Sequence, residues 1–183
     1  MTVETKTSYE LSHSTMGFLA TEIDGSESAI VYEEGVKPIQ VTIPPGKLID
    51  QAIRRYGEEL IAPIDGAKIL CDYHNKTPIA VSVLNNYYFF PSHSPSNRNC
   101  SWFSHTHVKK ITKAKFGGST INFIDGQKVT LPVSDGTMRN QQERTAQYRV
   151  SLEEQLKPIR QQGAIQAFLK VLNSEEDYPS IKD

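Results

Sequence analysis

Apolar and polar residues alternate through most of the first two-thirds of the chain, and only two stretches show helical spacing. Residues 16–23 and 29–32 read as strands on either side of Asp24-Gly25, a dipeptide suited to a tight hairpin turn. Residues 38–43 read as a third short strand, ended by Pro44-Pro45-Gly46. Leu48, Ile49, Ala52, Ile53 and Tyr56 then follow at helical spacing, which predicts one short amphipathic helix closed by Gly57. Further strands are expected over 67–73, 79–84 and 87–90, the last two linked by Asn85-Asn86, with Tyr87-Tyr88-Phe89-Phe90 buried on one face.

Pro91 to Cys100 is a polar loop with two prolines and three serines. From Cys100 to Phe116 the β-branched and aromatic residues favour one extended strand. Phe116-Gly117-Gly118-Ser119 turns it, residues 120–124 return, Asp125-Gly126 makes a two-residue turn, and residues 127–131 complete a meander. Asp135 can cap a helix over 137–156, which Pro158 stops. Ile165, Phe168, Leu169 and Leu172 predict a last helix packing one apolar stripe, with core packing favoured over a role in self-association. Residues 1–12 and 174–183 read as flexible ends. The expectation is a single α+β domain over 1–183, with an antiparallel strand-rich body, one short N-terminal helix and two C-terminal helices.

With 38% hydrophobic residues, the chain can build a core without staples. Cys71 and Cys100 are its only cysteines, too few for a disulfide framework and consistent with reduced thiols in a cytoplasm. The N-terminus lacks the basic-then-apolar order of a secretory signal, and no window is apolar enough for a membrane helix. The cytoplasm is the expected location, with no membrane partner.

Charge changes the picture because it is unevenly spread. Residues 1–66 carry five bases against eleven acids, a balance of −6. Residues 67–149 carry eleven bases against four acids, or +7, and residues 150–183 four against six, or −2. A basic middle on a chain of net charge −1 is a common footprint of nucleic-acid contact. If Cys100–Phe116 is one strand, Phe103, His105, His107, Lys109, Ile111 and Lys113 share a face, continued by Lys115, while Lys110 lies on the other. Such a cationic row suits phosphates. Arg98, on the preceding loop, suits a narrow A/T-rich minor groove. Asn99 beside it, and Arg139 and Arg144 on the polar half of the expected helix, complete the candidate DNA-binding set.

Rival chemistry is thinner. His105 and His107 with Cys100 and Cys71 could be weighed as a zinc site, but no third and fourth ligand stands at suitable spacing. Hydrogen-bonded or DNA-facing histidines are the expectation, with His107 facing DNA and His105 structural. A nucleophilic Cys100 lacks a glycine-rich oxyanion loop, and there is no phosphate-binding glycine loop or catalytic carboxylate pair. Trp102 reads as a core anchor. No enzyme activity, metal or cofactor is expected, and the alternative from another class is a basic protein-interaction module docking an acidic partner.

FFPSHSPSNRNCSWFSHTHVKK resembles the central signature of the ComK competence transcription factors, through Phe90, Pro91, Ser92, Arg98, Cys100, Trp102, Phe103, Ser104, His105, His107, Val108 and Lys109. Leu131-Pro132-Val133-Ser134 and then Asn140, Gln141, Arg144, Thr145 and Ala146 continue the match. The resemblance is dense over 78–149 and looser over 8–77. It implies activation of competence (DNA-uptake) genes by binding paired A/T-rich boxes, mainly through the minor groove, as a dimer on each box and two dimers per site. It also implies contact with RNA polymerase and delivery to a Clp-type protease by an adaptor. At the C-terminus Ala167-Phe168-Leu169-Lys170-Val171-Leu172 departs from the aromatic-Met-Leu-Tyr-Pro-Lys adaptor-binding segment of the family's best-known member.

Overall fold

The computed structural model describes residues 5–56, 71–73 and 75–175, with side chains described as far as residue 171. The expected close of the first helix at Gly57 and the greater part of the strand expected over 67–73 lie outside the described residues, as does most of the acidic tail.

Among the described residues there are ten strands and two α-helices. Seven strands form one sheet: β1 (Thr5–Lys6), β2 (Thr15–Ile23), β3 (Ser26–Glu33), β4 (Ile39–Val41), β5 (Ile79–Ser82), β6 (Tyr87–Pro91) and β7 (Trp102–Ser104), in the order β1-β4-β3-β2-β7-β6-β5. All pairs are antiparallel except β1 with β4. The segment expected to fray therefore carries structure: Thr5 and Lys6 pair with Gln40 and Val41, and Leu11 is buried in the core. Asp24 and Gly25 both have positive φ, 50° and 76°, between the paired Ile23 and Ser26, which is the two-residue hairpin turn their types favour.

Helix α1 (Pro45–Tyr56) begins on its proline, where a missing N–H is harmless. Its apolar stripe Leu48, Ile49 and Ala52 covers one face of the sheet against Phe18, Val31, Val41, Phe89 and Trp102. Trp102 is thus a core residue, as its type suggested. The strand Tyr87–Pro91 is buried on both faces, not one: Phe89 packs under α1, while Tyr88 and Phe90 point the other way. Gly17 is required where β2 meets β7, since a Cβ there would lie 2.9 Å from the Phe103 ring and 3.0 Å from the Trp102 carbonyl.

The opposite face is covered by a three-stranded antiparallel sheet, β8 (Val108–Lys113), β9 (Ser119–Phe123) and β10 (Lys128–Leu131), and by the long helix α2 (Asp135–Glu175). Met16, Phe90 and Phe103 of the large sheet meet Val108, Ile111, Ile121, Phe123, Val129 and Leu131 of the small one, with Met138 of α2 closing the cluster. Further along α2, Tyr148 and Leu152 pack on Tyr88 and Val83. Residues 71–73 form no strand; Tyr73 donates its hydroxyl to Gln147 on α2 at 2.6 Å.

Two expectations about the C-terminus are corrected. The cap of α2 is Ser134, whose Oγ accepts from the Thr137 N–H at 3.2 Å, and Asp135 instead pairs with Arg139. The second concerns Pro158, which does not divide the region into two helices; it lies within one helix of 41 residues. From residue 157 to 171 every residue is exposed, so water can satisfy the carbonyl that the proline ring leaves without a donor. Ile165, Phe168 and Leu169 are therefore exposed, at 59%, 63% and 50%, rather than buried in a core of the described residues.

Candidate nucleic-acid interface

The segment Cys100–Phe116 is not one strand. It breaks at residues 105–107, so that β7 belongs to the large sheet and β8 to the small one. The break is held by polar side chains. Ser104 Oγ lies 2.8 Å and Thr106 Oγ1 3.2 Å from His107 Nδ1, and the Ile124 N–H donates to the His107 carbonyl. His107, expected to face DNA, is the more buried of the two histidines, at 9% exposure. Burial pushes its imidazole below the ordinary value, against the opposing pull of Glu34. His105 is half-buried, its Nδ1 enclosed without a hydrogen-bond partner among the described residues, and burial followed by the Arg149 charge also lowers its pKa.

A bulge then resets the alternation. Val108 pairs with Phe123 but Lys110 pairs with Asn122, which leaves Lys109 as an extra residue on β8. Val108 and Ile111 consequently share the buried face, and Lys110 and Thr112 the outer one. Simple alternation would put Val108 with Lys110. The outer face runs in two rows across the sheet, Lys110–Asn122–Lys128 and Thr112–Thr120–Thr130. Asn122 Nδ2 donates to the Lys110 carbonyl and to Thr112 Oγ1, and the hydroxyls of Thr120 and Thr130 lie 3.1 Å apart. Lys113 sits at the rim opposite Ser119, and Lys115 lies in the 3-10 turn Lys115–Gly117 that joins β8 to β9.

Lys109, Lys110, Lys113, Lys115 and Lys128 are all exposed, and among the described residues none of the five is in an ion pair. Lys128 was not among the expected site residues. Its place follows from the observed register, in which residue 128 stands across from 122 and 122 across from 110; the expected two-residue turn would put 128 across from 123. Lys109, Lys110, Asn122, Asp125, Gly126 and Lys128 line an open depression of ≈ 390 Å³. Asp125, the acid there, is exposed but engaged: it accepts from the Gly35 N–H at 3.0 Å and from Gln127 at 2.9 Å and 2.7 Å. Partial burial works against its charge, but these bonds outweigh it and hold the carboxyl below its usual range. Gly126, at φ +92°, is the one left-handed residue of that turn, which is longer than the two-residue turn expected of Asp125-Gly126.

The arginines are placed differently. Arg98 is bonded to Glu22 at 2.7 Å, beside the Asp24-Gly25 turn. Asp125 meets Gly35 at the opposite end of the same hairpin, about 25 Å away for eight extended residues. Arg98 and its neighbour Asn99 therefore lie apart from the lysine sheet, and Arg98 lines a groove shared with Glu27 and Asp50. Arg139 is paired with Asp135, and Arg144 lies over the Tyr73 ring at 4.0 Å, so both are engaged along α2. Cys100 is buried, its thiol donating to the His93 carbonyl at 3.3 Å, and burial raises its pKa. Among the described residues no group of three or more histidine, cysteine, aspartate or glutamate side chains could hold a metal ion, and no helix is long and apolar enough to cross a membrane.

Lys110 and Lys128 on the threonine-lined outer face, with Lys109 at the bulge and Lys113 and Lys115 at the rim and turn, make a cationic surface suited to a polyanion. Residues 6–157 match the family model described as ComK protein, and the chain belongs to that family. It is similar to the competence transcription factor of Bacillus subtilis (strain 168), with 29% identity over 149 residues that cover 81% of this chain and 77% of the relative. No solved structure matches.

Proposed function

We propose that this chain is a DNA-binding activator of competence genes that docks the outer face of its small sheet on A/T-rich promoter DNA, chiefly along the minor groove. The observation that carries this reading is the set of five exposed lysines on β8, β10 and the turn after β8, none of them in an ion pair among the described residues. Each ammonium that meets a phosphate releases a condensed counterion, which gives affinity without sequence preference. Similarity to a competence transcription factor supplies the biological role. The A/T preference follows from groove width and deformability, since A/T-rich tracts narrow the minor groove and deepen its negative potential. On this reading the protein works at the nucleoid in the cytoplasm, as two dimers on paired boxes, with RNA polymerase and a Clp-protease adaptor as protein partners.

The test is binding to an A/T-rich duplex as salt is varied. Five neutralised phosphates predict a slope of log K against log salt of about −4 to −5. Lys110→Ala and Lys128→Ala should each reduce that slope by about one, on every duplex alike. Arg98→Ala, whose guanidinium is held by Glu22 away from the sheet, should leave it in place. A slope near zero would remove DNA as the partner.

A further inference from the structure

The turn between β8 and β9 carries a side chain that folding does not explain. The chain has seven phenylalanines. Phe18, Phe89, Phe90, Phe103 and Phe123 are at most 1% exposed, whereas Phe116 is completely exposed at the tip of the hairpin. Its backbone is left-handed, at φ 60° and ψ 29°, a conformation that a bulky side chain rarely adopts and glycine adopts freely. The position thus holds an aromatic ring where backbone geometry favours glycine and burial gives nothing in return. Strain of this kind persists where the surroundings hold it, and it gathers at functional sites.

The tip is firmly held. The Ala114 N–H donates to the Gly118 carbonyl at 2.9 Å, closing the turn. Gly118 lies so close to β10 that a Cβ there would sit 2.4 Å from the Leu131 carbonyl oxygen. The ring is therefore presented on a braced turn. Lys113, at the rim of β8, and Lys115, next to it in the turn, are both exposed and in no ion pair among the described residues. An apolar tip beside two cations matches a polyanion with an apolar interior, which is what a DNA duplex offers once a base step opens. Apolar wedges at such tips part base steps from the minor groove and kink the duplex. Pyrimidine–purine steps such as TA unstack most readily.

We infer that Phe116 is a wedge that inserts between base pairs of the bound duplex from the minor groove, at a flexible step within the A/T-rich site, while Lys113 and Lys115 hold neighbouring phosphates. The inference rests on the DNA-binding reading above and gives it a source of sequence preference that needs no base-edge hydrogen bond.

The experiment uses the full chain and a set of A/T-rich duplexes carrying 2-aminopurine in place of adenine at successive TA steps, with binding followed by anisotropy. The wild type should raise 2-aminopurine fluorescence several-fold at one step, and Phe116→Leu should keep most of that rise. Phe116→Ala and Phe116→Gly should lose it and bind about tenfold more weakly, with the salt slope unchanged. Phe116→Gly relieves the left-handed backbone, so its melting temperature serves to show that the fold is intact. If the wild type binds with no rise at any step, or if Phe116→Ala binds and unstacks as the wild type does, the wedge is refuted while the lysine sheet stands. If the wild type binds no duplex even at low salt, the DNA reading itself fails, and the wedge with it.

Discussion

His107 is a small case of a residue whose type and position point to different roles. A histidine two residues before a lysine pair invites a phosphate, yet its ring is turned inward, where Ser104 and Thr106 hold its Nδ1. Burial lowers its pKa, and the groups that face it are His13, Glu34 and Asp125. Because the folded pKa is depressed, the fold favours the neutral ring. Its contribution to stability is full above the ordinary value of about 6.5 and is lost as pH falls from there through the folded value. His105, depressed by burial and by Arg149, adds with the same sign. Thermal melts between about pH 8 and pH 5.5 should show a falling melting temperature below about 6.5. His107→Gln should melt lower than the wild type at the alkaline end but show a shallower acid limb. An unchanged acid limb in that variant would mean that His107 does not titrate on unfolding.

Among the elements, those set by one local rule were legible in the sequence. The Asp24-Gly25 hairpin followed from residues that tolerate positive φ, and α1 from the spacing of Leu48, Ile49 and Ala52. The small sheet was legible as a meander but not in its facing, because a bulge is a matter of pairing: nothing in the local pattern marks Lys109 as the extra residue. The lysines were found by composition, while the surface they share had to wait for the register that adds Lys128. Pro158 misled for a related reason, since its penalty depends on whether the freed carbonyl meets water or protein. The bracing of the small sheet can be tested at Gly118. A methyl group there runs into the Leu131 carbonyl, which is backbone and cannot swing aside. Gly118→Ala should cost about 1–3 kcal/mol in urea denaturation, and an unchanged midpoint would mean that β10 moves freely away from the turn.

At the scale of the whole molecule, α2 has two halves with different company. Met138, Tyr148 and Leu152 bind the first half to both sheets, while the second half leaves the body with Ile165, Phe168 and Leu169 uncovered. Ile165, Phe168 and Leu169, which the sequence assigned to a core, are exposed, and the proposed pairing of two copies on DNA would use them. Phe168→Asp should leave circular dichroism and melting temperature as they are and shift sedimentation toward the monomer. Loss of structure in that variant would place the stripe in a core after all.

The large sheet has a seam. Strands β1 to β4 pair among themselves, as do β5 to β7, and the two blocks join in the ladder at Gly17 with Phe103 and Phe18 with Trp102, beside which the Ala20 N–H donates to Ser101 Oγ. Partners on the two sides of that seam are more than eighty residues apart in the chain. On the ribosome, β2 and its neighbours emerge long before β7 exists, so the nascent protein carries an open strand edge until residue 103 has cleared the exit tunnel. Pairing across such a span raises the contact order, which slows folding. During synthesis, then, the order of events is imposed by chain length: the first block can pair at once, its edge stays exposed to other nascent chains until β7 arrives, and the clusters that Met138, Tyr148 and Leu152 complete close last.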